Sequence, residues 1–132
     1  MMRIPEAIFR EMINHAGREL PLECCGLLAG REGVVTRVYP LENQEKSPVS
    51  YLAAPEQEFH ALTEIEGLGL DLLAVYHSHP ETESYPSQLD IEKAYFTEAL
   101  YFIISLKDPV PRARAFRISR GGAVAEVRFE IF

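Results

Sequence analysis

Two of the four histidines in the chain stand one residue apart, in His77-Ser78-His79-Pro80. They follow the apolar run from Leu72 to Tyr76, which predicts a buried strand. Side chains two residues apart on a strand point to the same side, so both imidazoles can face one point in space. Imidazole nitrogen is a common metal ligand. We therefore interpret His77 and His79 as two ligands of a metal ion.

A catalytic zinc site takes three protein ligands and keeps a fourth position open for water. Asp90 is our third ligand, because it lies in a predicted helix that begins at Ser87 and can fold back toward the histidines. The alternative is a capping box, in which Ser87 and Asp90 bind backbone N–H groups at the helix start. A hydroxyl can cap a helix and also face a site. A metal-bound carboxylate is not expected to be free for capping, and the spacing from the histidines favours Asp90 as a ligand.

Hydrolysis by metal-activated water also needs a carboxylate that accepts a proton and passes it to the leaving group. Glu23 is our candidate, since it precedes the apolar run that begins at Cys24, where a buried acid has no obvious structural partner. The alternative for this segment is an exposed loop acid. Glu81 and Glu83, in the loop after the histidines, are further candidates, but they fit a solvated loop better.

Other catalytic patterns are missing from the chain. It has no His-Glu-x-x-His helix, no zinc-deaminase signature, no phosphate-binding glycine loop and no Gly-x-Ser-x-Gly nucleophile elbow. Cys24 and Cys25 lie in an apolar run, so we interpret them as small core residues rather than as thiol nucleophiles. Two adjacent cysteines cannot build a disulfide framework, which fits a reducing compartment.

Length and charge narrow the class of protein further. The 132 residues predict a single domain over 1–132, and 13 Lys and Arg against 20 Asp and Glu give a net charge of −7. An acidic chain without a basic run lacks the patch that binds nucleic acid, and anionic membrane surfaces would repel it. No apolar run has the length of a signal peptide core or a membrane span, so we expect a cytoplasmic protein.

The elements that must position these residues alternate between helices and strands. Helices are predicted from Ala7 to Ala16 with Gly17 as the stop, from Pro55 to Glu66, and from Ser87 to about Ala94. Strands are predicted at 24–29, 34–39, 72–76, 101–106, 113–119 and 123–131, with hairpin turns at 30–33 and 121–122 and a long polar loop at 42–50. We expect an α/β fold, with a mixed sheet flanked by helices and with strand edges that a homodimer could cover.

Three segments occur in an order that is recognisable: Glu23 in Glu-Cys-Cys-Gly-Leu-Leu-Ala-Gly, His77-Ser-His79-Pro, and Ser87-Gln-Leu-Asp90. Together they resemble the JAMM motif of the MPN (Mov34/PAD-1) metallopeptidases, and the resemblance covers nearly the whole chain. It implies a cytidine deaminase-like α/β sandwich with a curved mixed sheet. It also implies one zinc ion on His77, His79 and Asp90, Glu23 as the general base acting through the metal-bound water, and Ser87 as a donor to the tetrahedral oxyanion.

A further resemblance concerns the substrate. Asn43-x-x-x-Ser47-Pro48-x-x-Tyr51, with Tyr85-Pro86-Ser87, is similar to the prokaryotic subgroup that acts on ubiquitin-like sulfur carriers. Members of that subgroup remove cysteine or another amine from the carboxyl-terminal Gly-Gly of a carrier such as CysO. The resemblance implies such a carrier as partner, a role in cysteine biosynthesis, and the polar loop as one wall of the groove.

Two alternatives to carrier cleavage stay open. One is a zinc amidohydrolase for another small peptide or amide, and the other is a noncatalytic MPN scaffold. Polyubiquitin is disfavoured, because the short chain leaves little room for the insertions of eukaryotic deubiquitinases. The sequence does not identify the metal used in the cell, since the same ligands accept other divalent ions. His15 and His60, on predicted helices, receive no role.

Overall fold

Eight strands and three helices are described over residues 1–132 in the computed structural model. The helices are α1 (Glu6–Glu19), α2 (Pro55–Gly67) and α3 (Gln88–Glu92). The strands are β1 (Met2–Ile4), β2 (Cys25–Arg31), β3 (Val34–Leu41), β4 (Asp71–His79), β5 (Leu100–Ser105), β6 (Arg112–Ile118), β7 (Val124–Val127) and β8 (Phe129–Ile131). None of the three helices is long and apolar enough to cross a membrane.

All eight strands belong to one mixed sheet, in the order β7-β6-β5-β4-β2-β3-β1-β8. The strands β7 and β8 lie at opposite edges of this sheet, although only Arg128 separates them in the chain. Two residues of extended chain span roughly 7 Å, so the two edges must come close together and the sheet must curve until it nearly closes. The predicted class, an α/β fold with a curved mixed sheet flanked by helices, is confirmed. A homodimer that covers a free edge stays a prediction.

The sheet separates two apolar cores, and the central strand β4 contributes side chains to both. Alternate residues of a strand face opposite sides, and Tyr76 packs in the core that includes Met12 and Ala16 of α1. Val75, on the other face, packs in the core that includes Ile65 of α2. Burying each large apolar side chain contributes about 1.5 to 3 kcal/mol to the free energy of folding. The buried apolar side chains of α1 and α2 therefore hold both helices against the sheet. The same alternation turns His77 and His79 toward the α2 side of the sheet.

Gly26 in β2 allows the close packing of this sheet. A Cβ atom at this position would clash with the Tyr76 ring and its hydroxyl, so the two residues fit only because Gly26 has no side chain. The Tyr76 hydroxyl in turn lies 2.9 Å from His15 Nδ1, and His15 is buried. His15 therefore has a structural partner in the core behind the sheet, on the side away from His77.

Several element boundaries differ from the predicted ones. Strand β4 continues through His79, because β5 runs parallel beside it and pairs His77 with Ile103. The helix α1 passes Gly17, and α3 ends at Glu92. The predicted strand 123–131 is split into two strands, because β7 pairs with β6 whereas β8 pairs with β1 at the other edge of the sheet. The sequence did not predict β1. Both hairpins are confirmed as antiparallel pairs.

Candidate active site

The two histidines lie at the carboxyl end of β4 and are almost fully buried, with 0% of His77 and 3% of His79 exposed. Ser78, between them, points to the other face of the strand and ties β4 to the chain before β2. Its hydroxyl accepts a hydrogen bond from Cys24 N at 2.8 Å, and its own N–H donates to the Cys24 carbonyl at 3.2 Å. The predicted placement of both imidazoles on one side of a strand therefore holds in the structure.

Three candidate ligand atoms converge at this point. His77 Nε2 lies 3.1 Å from His79 Nε2, and Asp90 Oδ2 lies 3.1 Å from the first and 3.0 Å from the second. Two ligand atoms bound about 2.1 Å from a tetrahedral zinc ion lie about 3.4 Å apart. The triangle of ligand atoms thus has nearly the size that zinc requires, and it leaves one side for a further ligand.

Protonation of His77 and Asp90 suits a metal, whereas hydrogen bonds to Asp90 and to the Glu83 carbonyl raise the pKa of His79 in spite of its burial, so that a bound cation would have to displace its proton. Burial lowers the pKa of His77, which keeps its imidazole neutral. Burial alone would raise the pKa of Asp90, but hydrogen bonds from His77 and His79 outweigh it and hold the pKa of this carboxyl below its usual range. A neutral imidazole and an ionised carboxylate are the forms that bind metal ions. These residues therefore fit a divalent cation.

The second ring nitrogen of each histidine has a different environment. His79 Nδ1 lies 2.7 Å from the Glu83 carbonyl, which can only accept, so Nδ1 carries a proton and neutral His79 offers the Nε2 lone pair. His77 Nδ1 is buried and has no hydrogen-bond partner. The Tyr51 ring stacks on the His77 ring instead, with 4.7 Å between centroids and 29° between planes. On its Nδ1 side, packing rather than a hydrogen bond holds this imidazole.

Ser87 and Asp90 lie at the start of α3 and form the capping box that the sequence offered as an alternative. Asp90 takes both predicted arrangements at once, because it caps the helix and its carboxylate still lies beside both histidines. The atom Asp90 Oδ2 accepts from Ser87 N at 2.9 Å and also forms the third corner of the ligand triangle. A carboxylate oxygen has two lone pairs, so capping and metal binding are compatible.

Glu23 lies just before β2, on the same side of the sheet as the histidines. Continuing the antiparallel register from the Cys25 and His77 pair by two residues places Glu23 opposite His79. The side chain is only 3% exposed, and its Oε1 atom is buried without a hydrogen-bond partner. Burial raises the pKa of Glu23 to about 8, despite attraction to His79. Glu23 is therefore an acid that can gain or lose a proton near neutral pH.

The other candidate residues are placed differently. Glu81 and Glu83 are exposed, and Glu83 reaches the site only through its backbone carbonyl. Cys24 and Cys25 are buried, and burial raises the pKa of the Cys24 thiol to about 12. Thiols with such a pKa are poor nucleophiles, in agreement with their interpretation as core residues. His60 is exposed on α2.

An open cavity of about 460 Å³ adjoins the ligand triangle, lined by His79, Glu81, Thr82, Glu83, Tyr85, Ser87 and Lys107. Ser87 is exposed there, and its Oγ accepts from Asp90 N at 3.0 Å. The hydroxyl proton of Ser87 is thus free to donate to a bound molecule. A larger cleft of about 1250 Å³ lies where β4 and β5 begin, and none of the candidate site residues lines it.

Sequence reasoning from residue types missed two contributors to this site. Tyr51 covers His77, and Asn43 binds the Glu23 carbonyl at 3.1 Å through Nδ2. Both belong to the connection 42–54 between β3 and α2, whose length indicates a functional loop and whose resemblance to a subgroup implies a wall of the groove, but residue types alone give neither side chain a role. An asparagine in a loop otherwise poor in buried residues gives no local signal, because its burial depends on tertiary packing.

Known proteins of one family are similar to this chain over most of its length. The model of the family "Prokaryotic homologs of the JAB domain" matches residues 5–119. A "Probable TtuB-protein conjugate cleaving protease" of Thermus thermophilus is 41% identical over 128 residues, covering 96% of this chain and 82% of the relative. A "CysO-cysteine peptidase" of Mycobacterium tuberculosis is 36% identical over 118 residues, covering 87% and 81%.

A solved structure is similar over the full length. The solution structure of protein DSY2949 from Desulfitobacterium hafniense has a TM-score of 0.89 and 36% identity, covering 100% of this chain and 93% of that one. The family match spans most of the chain, and the relatives exceed 30% identity over more than four fifths of it. The chain therefore belongs to the prokaryotic branch of the JAB (JAMM/MPN) family, and it is a peptidase of that family.

Proposed function

We propose that this peptidase is zinc-dependent and hydrolyses the amide bond after the carboxyl-terminal Gly-Gly of a ubiquitin-like sulfur-carrier protein. The observation that carries the proposal is the triangle of His77 Nε2, His79 Nε2 and Asp90 Oδ2, with the buried carboxyl of Glu23 on the same side of the sheet. Three ligands and a nearby base are the parts that metal-assisted amide hydrolysis requires.

In the proposed reaction His77, His79 and Asp90 would hold one zinc ion, which would supply Lewis acidity toward the scissile carbonyl and water. Glu23 accepts a proton from the attacking water and returns it to the departing amine. Water adds to the carbonyl carbon, and the C–N bond breaks. The two products are the carrier, which now ends in a free glycine carboxylate, and the released amine. The Ser87 hydroxyl donates to the carbonyl oxygen as negative charge develops on it.

The choice of substrate rests on the relatives and on the shape of the site. One relative is named for a CysO-cysteine adduct and the other for a TtuB-protein conjugate. Tyr51 covers His77 of the ligand triangle, and the cavity beside Ser87 is lined in part by His79. A tail of two glycines has no side chains to clash with such walls, and its amide groups can pair with exposed backbone. The leaving amine would then occupy the cavity.

The proposal is tested with the CysO carrier extended by one cysteine after its Gly-Gly, by measuring cysteine release. Zinc-loaded protein should release cysteine, metal-depleted protein should not, and added zinc should restore the reaction. Glu23→Gln should keep its zinc and lose about 10²-fold to 10⁴-fold in rate, the usual contribution of a general base. Glu66→Gln, which changes an exposed acid on α2 away from the site, is the matched control and should act like wild type.

Each alternative function gives a different result. A zinc-loaded protein that cleaves small amides but not the carrier would favour the amidohydrolase alternative. A protein that takes up no zinc and cleaves nothing would favour the scaffold. Normal cleavage by Glu23→Gln, with loss in Glu81→Gln, would contradict the assignment of the base.

A further inference from the structure

Asn43 lies in the loop between β3 and α2 and is only 2% exposed. Its amide makes four hydrogen bonds. Nδ2 donates to the Glu23 carbonyl at 3.1 Å and to the Ser50 carbonyl at 3.0 Å. Oδ1 accepts from Glu45 N at 3.0 Å and from Leu52 N at 3.1 Å. An asparagine amide offers two donor and two acceptor positions, so Asn43 is fully satisfied and held rigidly.

Three of the four bonded groups lie in two parts of the site, and the fourth, Glu45 N, closes a turn within the loop. Ser50 and Leu52 flank Tyr51 on both sides, and Tyr51 stacks on the ring of His77. The third partner is the backbone of Glu23. A single amide therefore joins the ring that covers a ligand histidine to the chain that carries the base.

Glu23 depends on this loop for its position. Its N–H donates to the Ser47 carbonyl at 2.9 Å, and its carbonyl accepts from Asn43, so the loop holds the peptide groups on both sides of this residue. The carboxyl itself gives little anchoring, because Oε1 has no hydrogen-bond partner. The position of the backbone thus decides where the carboxyl lies.

We propose that Asn43 is a positioning residue for the reaction, which holds the backbone of Glu23 and the ring of Tyr51 in one fixed arrangement over His77. The inference rests on the proposed function, since it gives Asn43 a role in the chemistry of Glu23. A purely structural role would make Asn43 stabilise the loop without affecting turnover once the protein is folded. Displacement of a reacting group by about 1 Å can cost about 10²-fold in rate, so the two roles differ measurably.

Two substitutions separate the contacts. Asn43→Ala removes all four hydrogen bonds. Asn43→Asp keeps the size and both acceptor contacts, but it places a carboxylate oxygen against the carbonyls of Glu23 and Ser50. Gln57→Ala is the matched control, because Gln57 Oε1 accepts from Glu42 N at 2.7 Å and so holds the start of the same loop without touching Glu23.

With zinc-loaded protein and the carrier–cysteine substrate, both Asn43 variants should lose about 10-fold to 100-fold in kcat, while KM changes by less than about threefold. Gln57→Ala should keep the wild-type kcat. Zinc content and the fraction of folded protein are measured for each variant. If Asn43→Ala does not fold, Asn43→Asp carries the test.

Backbone amide exchange gives a readout that does not depend on activity. In both Asn43 variants the Glu23 amide should exchange faster than in wild type, because the loop that binds it is loosened, while amides in the centre of β4 should exchange at the wild-type rate. Wild-type kcat in folded Asn43→Asp, or unchanged exchange at Glu23, would overturn the positioning role alone. A wild-type protein that cleaves no carrier would overturn the proposed function as well.

Discussion

Ser87 and Asp90 bind each other in both directions at the start of α3: Ser87 N donates to Asp90 Oδ2 at 2.9 Å, and Asp90 N donates to Ser87 Oγ at 3.0 Å. The same Asp90 oxygen lies within 3.1 Å of both histidine Nε2 atoms. The helix start therefore fixes the carboxylate that completes the ligand triangle, and α3 needs only five residues to do so. The residues that cap this short helix thus also place one corner of the candidate metal site.

The double role of Ser87 can be separated by substitution. Ser87→Gly should cost only a few tenths of a kcal/mol, because glycine is an acceptable N-cap, whereas Ser87→Ala should cost about 1 kcal/mol. Both remove the hydroxyl that would donate to the oxyanion, so both should lose about 10²-fold or more in kcat. Thermal unfolding and carrier cleavage measure the two effects. Full activity in Ser87→Gly would show that the hydroxyl takes no part in turnover.

The ligand assignment predicts zinc content directly. His77→Ala should bind far less than the one zinc ion per chain expected of wild type, because two ligands hold zinc weakly. Asp90→Asn should also lose zinc while keeping α3, since an asparagine oxygen can still accept from Ser87 N. His60→Ala, which changes an exposed histidine on α2, is the control and should bind zinc like wild type. Metal analysis after dialysis makes the comparison, and equal zinc in Asp90→Asn would remove Asp90 from the ligand set.

Glu23 should make the metal-free protein less stable as pH rises. Its pKa is about 8 in the folded protein against an ordinary value of 4.5, so between these values the folded state holds a proton that the unfolded state has released. Stability from this group is therefore lost as pH increases through that window. Glu23→Gln has no such proton. Its melting temperature should match wild type near pH 5 and exceed it by roughly 5 °C or more at pH 9. A difference that stays constant with pH would contradict the raised pKa.

The local parts of the site could be predicted from the sequence, because they depend on neighbours in the chain. The spacing of His77 and His79 on a strand and the capping residues of α3 are properties of a few adjacent residues. The burial of Glu23 was inferred only from the apolar run that follows it. The double use of Asp90 Oδ2 was not foreseen, because the geometry of a lone pair is not visible in a pattern of residue types.

Contacts between distant segments could not be predicted in this way. β1 and β8 have three residues each, and they pair across almost the whole length of the chain. No periodicity in so short a segment distinguishes a strand from a loop. The same limit applies to Tyr51, whose place over His77 depends on how the loop 42–54 folds back against β2. The length of this loop and the resemblance to a family pointed to it, but residue types alone gave Tyr51 no role.

The stack of Tyr51 on His77 predicts a measurable effect on zinc affinity. His77 Nδ1 has no hydrogen bond to orient the ring, so on this side the orientation depends on packing against Tyr51. Stacked rings contribute about 0.5 to 1.5 kcal/mol, which corresponds to a factor of about 2 to 12 in a binding constant. Tyr51→Ala should therefore weaken zinc binding by about this factor in competition with a chelator, whereas Tyr51→Phe, which keeps the ring, should bind like wild type. Equal weakening in both variants would assign the effect to the hydroxyl and contradict the stacking argument. Wild-type affinity in Tyr51→Ala would mean that the buried walls around His77 hold the imidazole without the ring.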